Sequence, residues 1–355
     1  MTHVLGQPPY TIPAHPLALD ANGQPDWGAQ RLVTRYYLAA GATGLAVGVH
    51  TTQFEIHDDP GLFRRVLREA ADVRNRFGRG ATLVAGICGD TAQAVEEAHV
   101  ARDLGYVAGL LSTYGMTDRS EQRWLERSRA VSEVMPIMGF YMQESVGGQY
   151  FSPDFWKSLL EIDNLVAIKV APFDRYRTAD VAEALSLSGR TDVALLTGND
   201  DAILSDLMLP HRYGDGLLRE VRFSGGLLGQ WAVGTRAAAD LTRRIWEGRD
   251  EPVTQEVLAA ATALTSINQA VFDPEHGFAG SIAGVNEMLR QQGLLASSRC
   301  LSDHERLADG QAEKIRKARR RYPELLDETF IAEHHDEWRR DVDAAPAQAG
   351  LVRYA

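Results

Sequence analysis

Eight short runs of apolar, strand-type residues, separated by longer segments of helical period, constrain this chain more than any other feature. They are Thr11 to Leu19, Gly44 to Val49, Thr82 to Ile87, Val107 to Leu111, Pro136 to Tyr141, Leu165 to Val170, Asp192 to Leu196 and Val221 to Ser224. Such alternation marks repeated βα units and a parallel sheet. The runs are nearly continuous in apolar residues, as strands covered on both faces must be. Eight successive units predict an α/β fold of the (β/α)8 TIM-barrel class. A doubly wound open sheet competes, but no Gly-x-Gly-x-x-Gly segment follows the first run.

Local signals support the alternation. Asp90 is placed to cap a helix, with Gln93 at the capping-box position, an apolar stripe of Ala94, Ala98 and Ala101, and Gly105 to close it. Ser152 followed by Pro153 reads as an N-cap with proline at the first helical position. After residue 225 the strand pattern stops. Helical segments near 228–247, 253–271, 279–292 and 310–340 predict an appended C-terminal helical bundle. The expected organisation is a barrel over residues 1–227 and a helical region over 228–355, with a charged extension after about 295. Within it, Lys314 to Arg340 is expected to form a solvated amphipathic surface helix.

Composition narrows the class of partner. With 45% hydrophobic and 24% charged residues over 355 positions, the chain can bury a sizeable core. A formal net charge of -11 repels nucleic acid and anionic membranes, so an anionic substrate would need local positive charge. No basic stretch followed by an apolar one opens the sequence, and no apolar run approaches the ~18 residues of a membrane span. A cytoplasmic protein is expected. Cys88 and Cys300 provide neither a disulfide framework nor a metal cluster, and no metal or cofactor is expected.

A barrel of this class carries its site at the C-terminal ends of the strands. The polar residues there are His50, Thr51 and Thr52 after the second run, Ser112, Thr113 and Tyr114 after the fourth, Tyr141 ending the fifth and Lys169 in the sixth. Lys169 lies between apolar neighbours in Leu165 to Pro172. A lysine buried there needs a partner or a function. Burial lowers its pKa toward neutrality and frees the amine to attack a carbonyl. Position alone leaves a structural lysine paired with a carboxylate equally open.

Four segments, in order, resemble the dihydrodipicolinate synthase and N-acetylneuraminate lyase family of Schiff-base aldolases. Pro13 to Asp26 resembles the opening T-P-F-x-x-x-G-x-x-D segment, and His50-Thr51-Thr52-Gln53 the G-T-T-G-E loop. Gly139-Phe140-Tyr141 resembles the strand ending in a catalytic tyrosine, and Val166 to Lys169 the G-I-K strand. Leu195 to Asp200 further resembles the S-G-D-D segment, and Tyr141 precedes Lys169 by 28 positions, as in that family. The resemblance covers about residues 11–290.

It implies that Lys169 forms an imine with a 2-keto acid, that Tyr141 relays protons, and that Thr51 and Thr52 hold the acid's carboxylate. Both threonines would also link to Tyr141, and Gly198 and Ser224 are expected to bind substrate. A homo-oligomer, dimer or tetramer, is implied as well.

The departures are as informative. His50 and Gln53 replace the loop's two glycines and Phe54 its glutamate, so the loop backbone is expected to differ, with His50 available as an acid or base. No arginine follows Tyr141, which argues against dihydrodipicolinate synthesis. Gln143, Glu144 and Gln149 there suit hydroxyl groups, as on a polyol, sugar acid or neutral aldehyde. Tyr114 stands one place before the family's second tyrosine. Gly225 and Gly226 resemble a barrel phosphate site, although in this family they shape the pocket, and His334-His335 resembles a metal pair, although neighbours on a helix point apart. The function expected is a lyase on a 2-keto acid, by aldol cleavage or by dehydration of a 2-keto-3-deoxy sugar acid. A non-catalytic sugar-acid binding protein is the alternative.

Overall fold

The computed structural model describes residues 4–214 and 217–344. Its strands are β1 (Tyr10–Pro13), β2 (Gly44–Val47), β3 (Thr82–Ile87), β4 (Ala108–Leu111), β5 (Ile137–Met142), β6 (Leu165–Ala171), β7 (Ala194–Thr197), β8 (His211–Tyr213), β9 (Arg219–Val221) and β10 (Phe223–Leu228). Eight form one parallel sheet in the order β1-β10-β7-β6-β5-β4-β3-β2. The His15 amide donating to the Ala46 carbonyl at 2.8 Å closes β1 onto β2. Helices α1 (Trp27–Ala39), α2 (Pro60–Phe77), α3 (Thr91–Asp103), α4 (Glu121–Ser132), α5 (Pro153–Leu160), α6 (Arg175–Ser188) and α7 (Ile203–Met208) connect them. The TIM barrel expected from the alternation is the fold.

Strand alternation sorts the apolar residues into two layers. Ile12, Ala46, Val84, Leu110, Met138, Leu196 and Leu227 fill the barrel. Leu45, Leu83, Ile137, Ile168 and Leu195 face the helices.

The last strand departs from expectation. Val221 ends an antiparallel hairpin of β8 and β9, and the barrel strand begins at Phe223. Gly225 and Gly226 therefore lie within a strand, not at a helix start. A Cβ on Gly225 would come within 2.1 Å of the Tyr10 carbonyl, so close strand packing, not phosphate binding, accounts for it. Ser152 caps α5 as expected, accepting from the Phe155 amide. Asp90 occupies the N-cap of α3, but its carboxylate turns to the amide and hydroxyl of Thr117. Gln93 reaches His57 and Glu97 instead of closing a capping box.

The extension comprises α8 (Thr235–Glu247), α9 (Gln255–Phe272), α10 (Ser281–Gln291), α11 (Gln311–Arg321) and α12 (Glu328–Asp343). The expected single helix over 310–340 is broken at Tyr322-Pro323, where proline favours a new start. It is also not merely a solvated surface: Ile331, Trp338 and Val342 are buried as α12 packs on α1. Asp327 accepts from the Tyr36 hydroxyl at 2.6 Å and from the amides of Arg236 and Ala237, capping α8 across the fold. His334 stacks on Trp338 while His335 turns to the Gly293 carbonyl, so they do not share a ligand. Residues 345–355 of the expected helical region lie outside the described residues. Among the described residues, no helix is long and apolar enough to cross a membrane.

Candidate active site

Lys169 enters the barrel through an irregularity in β6. Ile137 of β5 pairs with Leu165, but Met138 pairs with Ala167, skipping Val166. Val166 and Ala167 both face the interior, and the parity of every later residue is reversed. Lys169 and Ala171 consequently point inward. Phe140 pairs with Lys169, and the Lys169 Nζ lies 4.3 Å from the centroid of the Phe140 ring.

The same register sends Tyr141 outward. Its ring is fully buried in the strand–helix layer, 5.0 Å from Trp156 and 5.7 Å from Phe151. Burial pushes its hydroxyl up to about 12. Strand alternation thus puts a phenyl ring, not a phenol, beside the lysine, and Tyr141, expected as the proton relay, lies outside the cavity lining.

A cavity opens at the C-terminal end of the barrel around Lys169, bounded in part by His50, Thr51, Gln143, Gly198 and Asp200. Lys169 is 8% exposed, and burial lowers its pKa to about 8 against the opposing attraction of Asp200. Burial raises Asp200 to about 7, although the Gln230 amide donates to it at 3.0 Å. Burial and the positive charge of Lys169 lower His50 to about 4, so at neutral pH it is an uncharged imidazole. Gly198 is required by space: a Cβ there would stand 2.7 Å from the Lys169 Cε.

The loop after β2 divides its two threonines. Thr51 faces the cavity. Thr52 is wholly buried, donates to the His15 carbonyl at 2.6 Å and accepts from the amides of Gly48 and Val49. It shapes the loop without touching the cavity. The substituted glycine at Gln53 retains a left-handed φ of 74°, so the backbone there keeps a glycine-like conformation. The Gln53 side chain accepts from the Leu301 amide, tying the loop to the C-terminal extension.

Four other expected residues lie elsewhere. Tyr114 donates to Asp58 at 3.0 Å and stacks on Phe54, tied within its own chain at the barrel rim. Glu144 pairs with Arg177 at 2.6 Å outside the cavity. Ser224 donates to the Leu195 carbonyl at the opposite end of the strand layer, because β10 starts just before it. Gln149 donates to the Arg119 carbonyl, leaving Gln143 alone of the three residues matched to hydroxyl groups.

Asp200, Phe140, Phe173, Phe278 and Ser281, none of them among the expected site residues, also line the cavity. Asp200 carried a signal, since it lies in the segment that resembles S-G-D-D. Phe278 and Ser281 come from the turn after α9 and the start of α10, where no strand-end rule points. Phe173 and Phe278 have φ values of 54° and 69°, which for bulky side chains costs about 1–3 kcal/mol each.

No family model and no curated protein sequence matches the chain. Solved structures do. The chloride-inhibited dihydrodipicolinate synthase from Acinetobacter baumannii complexed with pyruvate superposes with a TM-score of 0.71 at 20% identity, covering 88% of this chain and 97% of its own. A prophage protein of the dihydrodipicolinic acid synthase family from E. coli K12, also complexed with pyruvate, gives 0.73 at 16% identity, over 88% and 97%. CdNal from Clostridium difficile, in complex with mannosamine, gives 0.70 at 16%, over 88% and 98%. In fold, this chain is a (β/α)8 barrel with a C-terminal helical extension, built like dihydrodipicolinate synthase.

Proposed function

We propose that the chain is a divergent member of the dihydrodipicolinate synthase and N-acetylneuraminate lyase family, a Schiff-base-forming lyase acting on a 2-keto acid. One observation carries the reading: a single lysine, buried at the mouth of the barrel with its pKa lowered to about 8, faces a cavity beside a carboxyl group. A depressed lysine pKa supplies the free amine that carbonyl attack requires. The pyruvate complexes of two structures with the same fold support the choice of acid.

In this reading the Lys169 amine adds to the keto carbon, loses water and leaves a protonated imine that accepts the electron pair of the bond broken next. Thr51 offers its hydroxyl to the acid's carboxylate. Asp200, near neutrality, is suited to take up and return the proton that the family resemblance assigned to Tyr141. Aldol cleavage and dehydration share the imine and both belong to the proposal; dihydrodipicolinate synthesis does not, because among the described residues Lys169 is the only lysine or arginine lining the cavity. A cytoplasmic dimer or tetramer is proposed with it.

A second reading is favoured by Phe140, whose ring cannot exchange a proton: a barrel that binds a sugar acid without turning it over. Product release followed by NMR, with wild type and Lys169→Ala, tests the two. Turnover lost in Lys169→Ala supports the lyase. An imine trapped in wild type without any turnover supports the binding protein.

A further inference from the structure

Much of the cavity around Lys169 is apolar. Its lining includes Val146, Phe173, Phe272, Phe278, Ile282 and Val285. Phe173 follows β6 by two residues. Phe278 reaches in from the turn between α9 and α10, and the two rings meet edge to face at 5.6 Å.

Both rings are deliberately held. The Phe173 amide donates to Asn199 Oδ1 at 3.0 Å, and Asn199 Nδ2 donates to Asp206 at 2.9 Å and to Thr178 at 3.1 Å, all three residues being buried. The Phe278 amide donates to the Asp273 carbonyl and its own carbonyl accepts from Ser281. Left-handed backbone at bulky residues persists only where the surroundings dictate it, and such strain gathers at ligand clamps. With Lys169, Thr51 and Asp200 engaged at the keto acid, the polar side chains left in the lining are His50, Gln143 and Ser281. Among the described residues a distal carboxylate would find no arginine in that lining, and a hydroxylated chain would lose more water contacts than these three side chains restore. An aryl ring would gain both apolar burial and edge-to-face contact.

We propose that the 2-keto acid carries an aryl group, or an apolar group of similar size, beyond its third carbon, seated against Phe173 and Phe278. The inference rests on the imine-forming reading and replaces the sugar-acid partner expected from Gln143, Glu144 and Gln149.

Borohydride trapping on the full chain, titrated separately with pyruvate, benzylidenepyruvate and a 2-keto-3-deoxy sugar acid, decides it. The half-saturating concentration for benzylidenepyruvate should lie at least about 10-fold below that of the sugar acid. Phe278→Ala should raise the aryl value about 10-fold more than it raises the pyruvate value. Phe278→Leu, which keeps most of the volume, should shift the ratio in the same direction if the alanine variant fails to fold. Trapping of the sugar acid as tight as or tighter than the aryl acid, with pyruvate still trapped, overturns the proposal and leaves the imine reading standing. No trapping of any of the three acids overturns the imine reading, and this proposal with it.

Discussion

Phe140 and Lys169 face each other across neighbouring strands, the lysine Nζ 4.3 Å from the ring centroid, because β6 carries an extra residue at Val166. The nucleophile is thus placed by a strand irregularity, and the side chain paired with it across the strands cannot carry a proton.

Tyr141→Phe should therefore change the rate of imine formation by less than about twofold, against the 10²–10⁴-fold expected for a lost acid–base group. Stopped-flow formation of the pyruvate imine measures it. A loss of about 100-fold would return Tyr141 to the mechanism.

The pH profile of trapping follows from two groups. The Lys169 amine is lowered to about 8 by burial, so trapping should rise with pH and level off above about 8. Asp200 holds that pKa up through its negative charge. Asp200→Asn should move the rise to lower pH, while slowing turnover by about 10²–10⁴ if Asp200 carries the proton. A profile unmoved by Asp200→Asn would uncouple the pair.

Stability should run opposite to function at Lys169. Between pH of about 8 and the ordinary lysine value of 10.5, the unfolded chain holds a proton that the folded chain has released. Stability from this group therefore rises with pH across that window, and its full penalty applies below it. Lys169→Met should stabilise the protein at pH 7 by on the order of 1–3 kcal/mol while abolishing the imine. Denaturant titration of both proteins at pH 7 and pH 10 checks the sign, and the gap should narrow at the higher pH.

Asn199 anchors Phe173 from within a buried network that also includes Thr197, Thr178 and Asp206. Asn199→Ala leaves Asp206 and Thr178 short of a donor and the Phe173 amide short of an acceptor, and should cost about 1–3 kcal/mol in thermal or chemical unfolding. Asp327→Ala should cost about as much, since Asp327 caps α8 and accepts from Tyr36. An unchanged midpoint in the latter would detach the C-terminal extension from the barrel's stability.

The barrel was legible because its signal is repeated: apolar runs alternate with helical segments, and the count of eight together with the missing Gly-x-Gly-x-x-Gly segment favours the closed topology. Lys169 was legible because a charged residue stands out in such a run. Tyr141 was misplaced for the complementary reason. In Ile137–Met142 every residue is apolar or aromatic, so the sequence contains no alternation from which to read facing, and a one-residue irregularity at Val166 decides which of Phe140 and Tyr141 meets the lysine. Thr51 and Thr52 were found together, but only packing shows that one hydroxyl is consumed by His15 and two backbone amides. Phe278 and Ser281 lie more than 100 residues beyond Lys169, in a helical region whose apolar residues look like ordinary core.

The most direct test of the account is borohydride reduction in the presence of pyruvate, followed by peptide mass spectrometry of wild type and Lys169→Ala. The reduced pyruvate adduct is expected on the peptide bearing Lys169, with none in the variant. A folded wild-type protein that gains no adduct, or gains it on another lysine, would contradict it.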